Sequence, residues 1–438
     1  MSHTEDRPPS EYSPRLVIVG GPTGVGKTSV IAELVASYPD RYIRPLAYST
    51  RGRRNETDLE YQQLDKAKIA QLYAKREVLN YDEVYGEVYA IDRRSVEAAL
   101  AEGRCPIKEV HPSRFEALAA DFPRVTTVLV LPLDAAAPET LGLDSRRRQR
   151  RPSDDAFYRS FDPLSTDILR YVNYGIDRAD LALELHLSLE ALHESADDFP
   201  SPREIDARNH AGYTVVAPEF SDERRPTTRA FHQISRDFWE SVVNGLPAGA
   251  RVLELGPGNG WLRQDLSWPA VNYESVELCP AMARAKEGTG SARALAVKSG
   301  TIDFVVASLA DPFLYPVAAV EISRILVPGG RFLGTAPAAE WSDLVRPQSE
   351  ANVTSFDLDS RGDRAEVFSF TYTGEGLRSM LARRGFQTVQ VEAITASRLI
   401  EGGMALPPLI AAALSRASVP ARQLPLLWAF DARKGATT

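Results

Sequence analysis

The first residues whose types and spacing could do chemistry lie at positions 21–28, where the chain reads Gly21-Pro-Thr23-Gly24-Val25-Gly26-Lys27-Thr28. Glycines let backbone N–H groups turn towards phosphate oxygens, and the start of a helix adds positive potential there. The Lys27 ammonium would reach the β- and γ-phosphates, and the Thr28 hydroxyl would ligate Mg²⁺. Together with Ser29, these residues predict a site for ATP and Mg²⁺.

A second glycine-rich stretch covers residues 252–260, which read Val-Leu-Glu254-Leu-Gly256-Pro257-Gly258-Asn-Gly260. Glu277 closes the next strand-like run, residues 274–278. In sheets that bind nucleotides, a carboxylate at that place binds the ribose hydroxyls. The stretch therefore predicts a nucleoside-type cofactor that rests on bare backbone.

Both stretches stand where a strand-like run passes into a helix-like one. Apolar residues 15–20 precede the first stretch, and a helical pattern over residues 29–38 follows it. Residues 251–255 form a strand-like run before the second stretch. Short apolar runs that alternate with helical segments are typical of parallel sheets covered by helices. The fold class expected is α/β.

Composition shifts divide the chain into four segments. Residues 1–14 are polar and proline-rich and predict a disordered tail. Residues 15–195 and residues 228–438 each show the strand–helix alternation of an α/β domain. Residues 196–227, rich in Pro, Asp and Arg, predict a linker between them. The two domains share no motif, so the chain is expected to be a fusion rather than a duplication.

The overall composition limits the partners. The chain has 438 residues and a formal net charge of -8, which does not favour a nucleic-acid partner, although a local basic patch would allow one. No apolar run is long enough to cross a membrane. The two cysteines, Cys105 and Cys279, fall in different halves and offer neither a zinc site nor a disulfide framework. We expect a cytoplasmic protein that acts on small molecules, of open oligomeric state.

The first half resembles guanylate kinases over residues 15–195. The resemblance depends on Ser49-Thr-Arg51-Gly-Arg-Arg54, on Tyr61, on Gly86-Glu-Val-Tyr89 and on the strand that carries Glu109. It implies a P-loop sheet of the nucleoside-monophosphate-kinase type. It also implies an acceptor site, whose residues would be Arg51, Arg54, Tyr61, Asn80, Tyr89 and Glu109. Two guanidinium groups and two phenols suit a phosphate dianion.

Three positions depart from the family at the place where guanine is read. Asn80, Ile91 and His111 stand where the family has a glutamate, a serine and an aspartate. A site without those hydrogen bonds loses several kcal/mol of discrimination. The resemblance therefore implies a phosphorylated acceptor other than GMP, or a degenerate kinase.

The arginine-rich run 146–151 lies where the family has its lid. Arg146 and Arg150 would then close over the transferring phosphoryl group and stabilise its charge. A basic loop in solvent and a surface for RNA are the alternatives.

The second half resembles class I S-adenosylmethionine-dependent methyltransferases over residues 228–398. Besides the glycine turn, the resemblance depends on Asp303–Asp311 and on the Val-Pro-Gly-Gly turn near Gly330. It implies a Rossmann-like sheet and a cofactor site formed by Glu254, Gly256, Pro257, Gly258, Gly260, Glu277, Leu278 and Ser308. The third strand is expected within residues 292–297. Asp311-Pro-Phe is a candidate catalytic element, whereas core packing is favoured over pocket lining for His232, Trp239 and Trp261.

The combined expectation is a bifunctional transferase. One domain would phosphorylate a nucleotide or another phosphorylated small molecule, and the other would methylate a small molecule or nucleotide. Two alternatives stay open, an RNA- or defence-associated methyltransferase with a nucleotide-sensing domain and a scaffold with a degenerate kinase domain. The intact Lys27 and Thr28 count against the scaffold.

Overall fold

The computed structural model describes residues 14–22, 24–52, 61–84, 86–122, 125–132, 169–173, 178–195, 199–220, 225–283, 288–346, 352–358, 364–403 and 405–435. The chain divides into two compact units, of which one ends at residue 197 and the other begins at residue 198. Four predicted site residues, Thr23, Arg54, Arg146 and Arg150, lie outside the described ranges. Within these ranges, no helix is long and apolar enough to cross a membrane.

The N-terminal unit is built on a five-stranded sheet. Its strands are β1 (Leu16–Gly20), β2 (Tyr42–Ile43), β7 (Cys105–Glu109), β8 (Val125–Pro132) and β9 (Leu169–Asn173). They run in the order β2-β7-β1-β8-β9, and all neighbours are parallel. All five residues of β1 are buried, as a central parallel strand requires. The helices are α1 (Lys27–Ser37), α2 (Lys66–Ala74), α3 (Arg93–Ala101), α4 (Phe115–Asp121) and α5 (Arg178–Ser195).

A smaller, four-stranded sheet is inserted between β2 and β7. It consists of β3 (Ala47–Ser49), β4 (Gln62–Gln63), β5 (Asp82–Val84) and β6 (Glu87–Ile91), in the order β4-β3-β6-β5. Its central strands are antiparallel and place Tyr89 opposite Ser49 on one side and opposite Asp82 on the other. Of the predicted acceptor-site residues, Tyr89 lies in this sheet, Arg51, Tyr61 and Asn80 lie next to its strands, and Glu109 belongs to β7 of the five-stranded sheet.

The C-terminal unit is built on a seven-stranded sheet. Its strands are β10 (Arg251–Leu255), β11 (Asn272–Glu277), β12 (Gly288–Thr289), β13 (Ile302–Ala307), β14 (Leu326–Pro337), β17 (Phe386–Thr395) and β18 (Pro425–Lys434). The order is β12-β11-β10-β13-β14-β18-β17, and only β18 runs antiparallel to its neighbours. The predicted fold class, two α/β domains with a P-loop sheet and a Rossmann-like class I methyltransferase sheet, is confirmed.

Helices cover this second sheet. In chain order they are α6 (Pro202–Val216), α7 (Pro226–Asn244), α8 (Trp261–Asp265), α9 (Pro316–Ile325), α10 (Ala339–Val345), α11 (Gly374–Ala382), α12 (Ser397–Glu401) and α13 (Pro408–Arg416). A hairpin of β15 (Val353–Asp357) and β16 (Arg364–Phe368) stands apart from the main sheet.

The third strand differs from the prediction. It is β12, at residues 288–289, and residues 292–297 form turns. Polar contacts outside the ladder hold these turns, because the Arg293 side chain binds Asp206 of α6 and the Leu295 N–H donates to Glu321.

The composition of residues 196–227 predicts a linker, but residues 202–216 form α6. Ser201 caps the helix by accepting from the Glu204 N–H. The stripe that α6 buries includes polar residues and a glycine, so its apolar period is faint. The buried residues are Ile205, Asp206, Asn209, Gly212 and Val216. The Ser-x-x-Glu start is a capping signal that could have revealed the helix from the sequence.

Helix α6 lies against β16 so closely that Gly212 has no room for a side chain. An added Cβ would stand 2.4 Å from the Glu366 carbonyl oxygen and 2.7 Å from a Val367 methyl carbon. We therefore expect Gly212→Ala to lower the free energy of unfolding of the C-terminal unit by about 1–3 kcal/mol. In a solvent-exposed helix the same change would stabilise by about 1 kcal/mol.

Denaturant unfolding followed by tryptophan fluorescence measures this effect, since all five tryptophans lie between residues 239 and 428. Val215→Ala, at an exposed position of the same helix, is the control and should change stability by less than about 0.5 kcal/mol. Wild-type stability in Gly212→Ala would mean that α6 does not pack on β16.

Candidate functional sites

The phosphate loop leaves the carboxyl end of β1 and enters α1 at Lys27. Its backbone is left-handed at Gly24 and Gly26, with φ of 84° and 99°. A Cβ at Gly21 would stand 2.2 Å from the Val130 carbonyl oxygen, so only glycine fits there. The Lys27 ammonium donates to the carbonyls of Gly21 and Pro22 at 2.8 and 3.0 Å. The loop is therefore closed around its own lysine, at the start of a helix where an anion is stabilised.

Thr28 and Glu109 come together at the same edge of the sheet. The Thr28 hydroxyl donates to a Glu109 carboxylate oxygen, which joins the start of α1 to the carboxyl end of β7. A hydroxyl and a carboxylate are oxygen ligands that suit Mg²⁺, which completes its shell with water and substrate phosphates. No cluster of three or more acidic, histidine or cysteine residues that could hold a metal by itself occurs in the described part of the chain. The residues fit a metal shared with a nucleotide.

Phenol rings and cations form the predicted phosphate clamp. The Tyr61 and Tyr89 rings meet edge to face with centroids 5.4 Å apart, and the Arg51 guanidinium lies 5.6 Å from the Tyr61 centroid. A residue that the motifs missed joins them, because the Lys108 ammonium stands 3.7 Å from the Tyr61 centroid. Lys108 is buried in β7. Its signal in the sequence is a lysine inside an apolar strand, which is rare unless the charge has a partner.

Asn80, which stands at the predicted base-reading position, is hydrogen-bonded within the protein. The Asn80 oxygen accepts from the Ile91 N–H at 2.8 Å, and the Asn80 amide donates to Asp82 at 2.7 Å. Asn80 is only 6% exposed and Ile91 only 2%. The Asn80 amide is therefore engaged in hydrogen bonds within the protein.

Asp82 is a second residue that the motifs missed. Burial raises the pKa of its carboxyl to about 6, and the hydrogen bond from Asn80 and the charge of Arg114 oppose that rise. The Arg114 Nε lies 3.1 Å from an Asp82 oxygen. A buried carboxylate thus stands on the sheet that carries the clamp.

In the C-terminal unit a cavity of about 720 Å³ opens at the carboxyl edge of the sheet. Six of the predicted cofactor residues line it, namely Gly256, Pro257, Gly258, Glu277, Leu278 and Ser308. Gly256 has φ of 59°, and a Cβ there would stand 2.5 Å from the Phe313 ring. Gly256 thus packs directly against Phe313, and the turn that it opens lines the cavity with Pro257 and Gly258. Glu254 is buried beneath it and accepts from the Tyr273 hydroxyl, and Gly260, with φ of 70°, begins α8.

Backbone donors fix the Glu277 carboxylate at the end of β11. The Cys279 N–H donates to one oxygen at 3.2 Å, and the Gly258 N–H lies 3.4 Å from the other. The carboxylate therefore bridges the glycine turn and the end of the next strand. This is the place where a ribose diol is bound in nucleotide-binding sheets.

Helix α6 and the β15–β16 hairpin supply the opposite wall of the cavity. Asp206, Asn209 and Tyr213 line it, all from the segment that composition assigns to a linker. Asp206 accepts from the Ser291 hydroxyl at 2.9 Å and pairs with the buried Arg293. The wall is therefore bonded to the turns that follow β12.

Asp311, the candidate catalytic residue, lines the same cavity. Burial raises the pKa of its carboxyl to about 6, against the hydrogen bond from Ser369 and the charge of Arg346. The Arg346 guanidinium in turn donates to the Ser369 hydroxyl at 2.7 Å. The pKa of Tyr213 is raised by burial and by the charges of Asp311 and Glu277, so this phenol stays neutral near both carboxylates.

Two of the aromatic candidates also line the cavity. His232 stacks on Trp261 with centroids 4.4 Å apart, and the Trp261 indole donates to the Ser308 hydroxyl at 3.1 Å. The core packing favoured for these two residues is therefore only part of their role. Trp239 has no exposed surface and packs in the core, as expected.

Comparison with known proteins supports the first half by sequence. Residues 13–153 match the family model described as guanylate kinase. Guanylate kinase 1 of Oryza sativa subsp. japonica is 26% identical over 264 residues, which cover 56% of this chain and 66% of the rice protein. The crystal structure of guanylate kinase from Anaplasma phagocytophilum is 17% identical with a TM-score of 0.32, over 42% of this chain and 87% of that one.

The solved structure of a methyltransferase is also similar to part of this chain. The S-adenosylmethionine-dependent methyltransferase from Mesorhizobium loti is 16% identical with a TM-score of 0.30, over 46% of this chain and 98% of that one. The fold of the C-terminal unit rests on its own strand order, described above.

The Glu277 geometry yields a direct test. Because the carboxylate would accept from two ribose hydroxyls, we expect Glu277→Gln to weaken S-adenosylmethionine binding by about 10-fold or more. Titration calorimetry measures the dissociation constant. Glu274→Gln changes an exposed residue of the same strand and should bind as the wild type does. Equal affinity in all three proteins would place the cofactor away from the end of β11.

Proposed function

Because the N-terminal unit is a guanylate kinase-like transferase domain, we propose that this chain is a bifunctional transferase that phosphorylates one phosphorylated small molecule and methylates a small-molecule or nucleotide acceptor. One observation supports the pairing above all. Each unit has its own glycine-rich turn at the carboxyl end of its own parallel sheet, the first followed by Lys27 and Thr28 and the second facing Glu277. The first set suits a triphosphate and the second a nucleoside cofactor.

In the kinase domain ATP supplies the phosphoryl group, and the protein supplies position and charge. Lys27 would leave its two carbonyl partners for the β- and γ-phosphates and offset their charge. Thr28 and Glu109 would hold Mg²⁺ beside it. Arg51, Tyr61 and Tyr89 would bind the acceptor's phosphate, so that its nucleophilic oxygen lies in line. Arg54, Arg146 and Arg150 belong to the proposed site as well, although they lie outside the described residues.

The acceptor is proposed to differ from GMP. Guanine presents an N1–H and an exocyclic amine, and a reader needs open acceptor oxygens for them. Both ends of the Asn80 amide are already bonded to Ile91 and Asp82, and the Ile91 side chain is apolar. These contacts support an acceptor that is held by its phosphate rather than by a guanine base.

In the methyltransferase domain S-adenosylmethionine, when bound, supplies an electrophilic methyl group. The glycine turn and Glu277 would orient it, and the cavity wall formed by α6 and the hairpin would exclude water. Asp311 would accept the proton of the acceptor's nucleophile, because it lines the cavity and its carboxyl is poised near neutral pH. Tyr213 would stay protonated and donate a hydrogen bond.

The proposed setting is the cytoplasm. ATP and S-adenosylmethionine are both made there, and the two buried thiols, Cys105 and Cys279, would remain reduced. Joining the domains in one chain would raise the local concentration of one site's product near the other.

Removal of the loop lysine tests the kinase activity. We expect Lys27→Ala to lower the rate of acceptor-dependent ADP release by about 10²–10³-fold, since it removes a charge aimed at the transferring phosphoryl group. Lys66→Ala, at an exposed lysine that pairs with Glu83, should keep the wild-type rate. Full turnover in Lys27→Ala would exclude Lys27 from the mechanism.

The pH profile tests the methyltransferase activity. A base with a pKa of about 6 is protonated and inactive below that pH, so methyl transfer should rise with pH up to about 6 and then level off. We expect Asp311→Asn to lower the rate by about 10²–10⁴-fold and to abolish this rise. Asp265→Asn, at an exposed residue, is the control. A wild-type profile in Asp311→Asn would assign the base to another group.

A further inference from the structure

Ser49, Tyr89 and Asp82 lie side by side on one face of the four-stranded sheet. Ser49 lies opposite Tyr89 across β3 and β6, and Tyr89 lies opposite Asp82 across β6 and β5. Residues in register across a sheet project from the same face, with their Cβ atoms about 4.5–5.5 Å apart. Asp82 is therefore the direct neighbour of Tyr89, a phenol of the phosphate clamp.

This face is turned towards the carboxyl end of the parallel sheet. Arg114, which follows β7, reaches Asp82 with its Nε at 3.1 Å. Lys108, within β7, reaches Tyr61, whose ring meets that of Tyr89. The same strand ends at Glu109, which holds the Thr28 hydroxyl of the phosphate loop. Asp82, which is 3% exposed, thus lies where the acceptor sheet meets the segment that follows β7.

An acidic residue, Asp82, stands two positions after Asn80, the predicted base-reading residue. Asp82 is the first residue of β5, which Asn80 precedes. The hydrogen bond from the Asn80 amide to Asp82 at 2.7 Å confirms that the two side chains meet. Asn80 therefore positions the carboxylate instead of reading the acceptor itself.

A carboxylate beside a phosphate clamp has a limited choice of partner. It repels a phosphate dianion, and the ion pair with Arg114 offsets part of its charge. Its oxygens can accept from hydroxyl groups, as carboxylates do when they bind a sugar diol. An acceptor with hydroxyls near its phosphate satisfies both the clamp and Asp82.

We propose that Asp82 is a specificity residue of the acceptor site and that it binds hydroxyl groups of a sugar phosphate. The inference rests on the phosphotransferase activity proposed above and names the class of its acceptor. The phosphate lies on Arg51, Lys108, Tyr61 and Tyr89, and the adjacent hydroxyls lie on Asp82. The side chains of Asn80 and Ile91 offer no matching hydrogen bonds to the base of a nucleotide.

Steady-state ADP release with three groups of acceptors tests this assignment. The acceptors are pentose and hexose phosphates, their deoxy analogues and the nucleoside monophosphates. The wild type should prefer the fully hydroxylated sugar phosphates. Asp82→Asn removes the charge at constant size and should raise KM for them by about 10- to 100-fold with little change in kcat. Its KM for the deoxy analogue that lacks the bound hydroxyls should change little.

Glu83→Gln is the matched control. Glu83 is the next residue of β5, projects from the opposite face and pairs with the exposed Lys66. This variant should keep the wild-type KM for every acceptor.

Three results would overturn the proposal. They are a wild-type preference for a nucleoside monophosphate over all sugar phosphates, an equal rise in KM for hydroxylated and deoxy acceptors in Asp82→Asn, and the same rise in Glu83→Gln. If no acceptor supports ADP release, the proposed kinase activity fails, and titration calorimetry still decides on Asp82. Sugar phosphates should then bind the wild type at least about 10-fold more tightly than Asp82→Asn, and equal affinities would refute the role of Asp82.

Discussion

Both sites depend on one constraint. Where a buried parallel strand ends, the chain turns so close to neighbouring atoms that a side chain has no room. At Gly21 an added Cβ would meet a β8 carbonyl oxygen at 2.2 Å, and at Gly256 it would meet the Phe313 ring at 2.5 Å. Left-handed backbone at Gly26 and Gly256 adds to the demand for glycine. The turns place backbone N–H groups and a helix start at the sheet edge, and every other functional group is arranged around them.

Around the first turn, the proposed site has cations that suit any phosphate and other polar groups that could distinguish one acceptor from another. In the proposed site Lys27, Arg51 and Lys108 would attract phosphates, whatever group the phosphate is attached to. Discrimination between acceptors would come from polar groups that lose their hydrogen bonds when the wrong acceptor binds. Asn80 is hydrogen-bonded to Ile91 and Asp82 within the protein. The Asp82 carboxylate pairs with Arg114 and lies next to the clamp residue Tyr89.

Around the second turn, burial decides the chemistry. The glycine turn and Glu277 form one wall of the cavity, and α6 with the β15–β16 hairpin forms the other. Enclosure between them raises the pKa of Asp311 to about 6, while the hydrogen bond from Ser369 and the charge of Arg346 keep it from rising further. A carboxylate in water is a weaker base, so in the proposed methyl transfer the wall would contribute by making Asp311 more basic.

The sequence by itself determined both turns, the strands and helices that flank them, and the two-domain α/β fold class. These features are local, since glycine spacing, apolar runs and helical periodicity follow from the conformation of a few neighbouring residues. It also singled out Thr28 and Glu277, which fixed motifs carry. Glu109 was expected in the acceptor site from the family resemblance, whereas the structure places it against Thr28.

Only the tertiary structure decided what stands opposite the motifs. Lys108 and Asp82 belong to no motif, and they reach the clamp because β7 and the register of β5 and β6 bring them there. Helix α6 buries Asp206, Asn209 and Gly212, so its stripe is not apolar and its composition resembles that of a linker. Its role exists only because β16 and the turns after β12 pack against it. Contacts between residues far apart in sequence leave no periodic trace in the chain, and for that reason the residues that face the motifs became visible only in the folded structure.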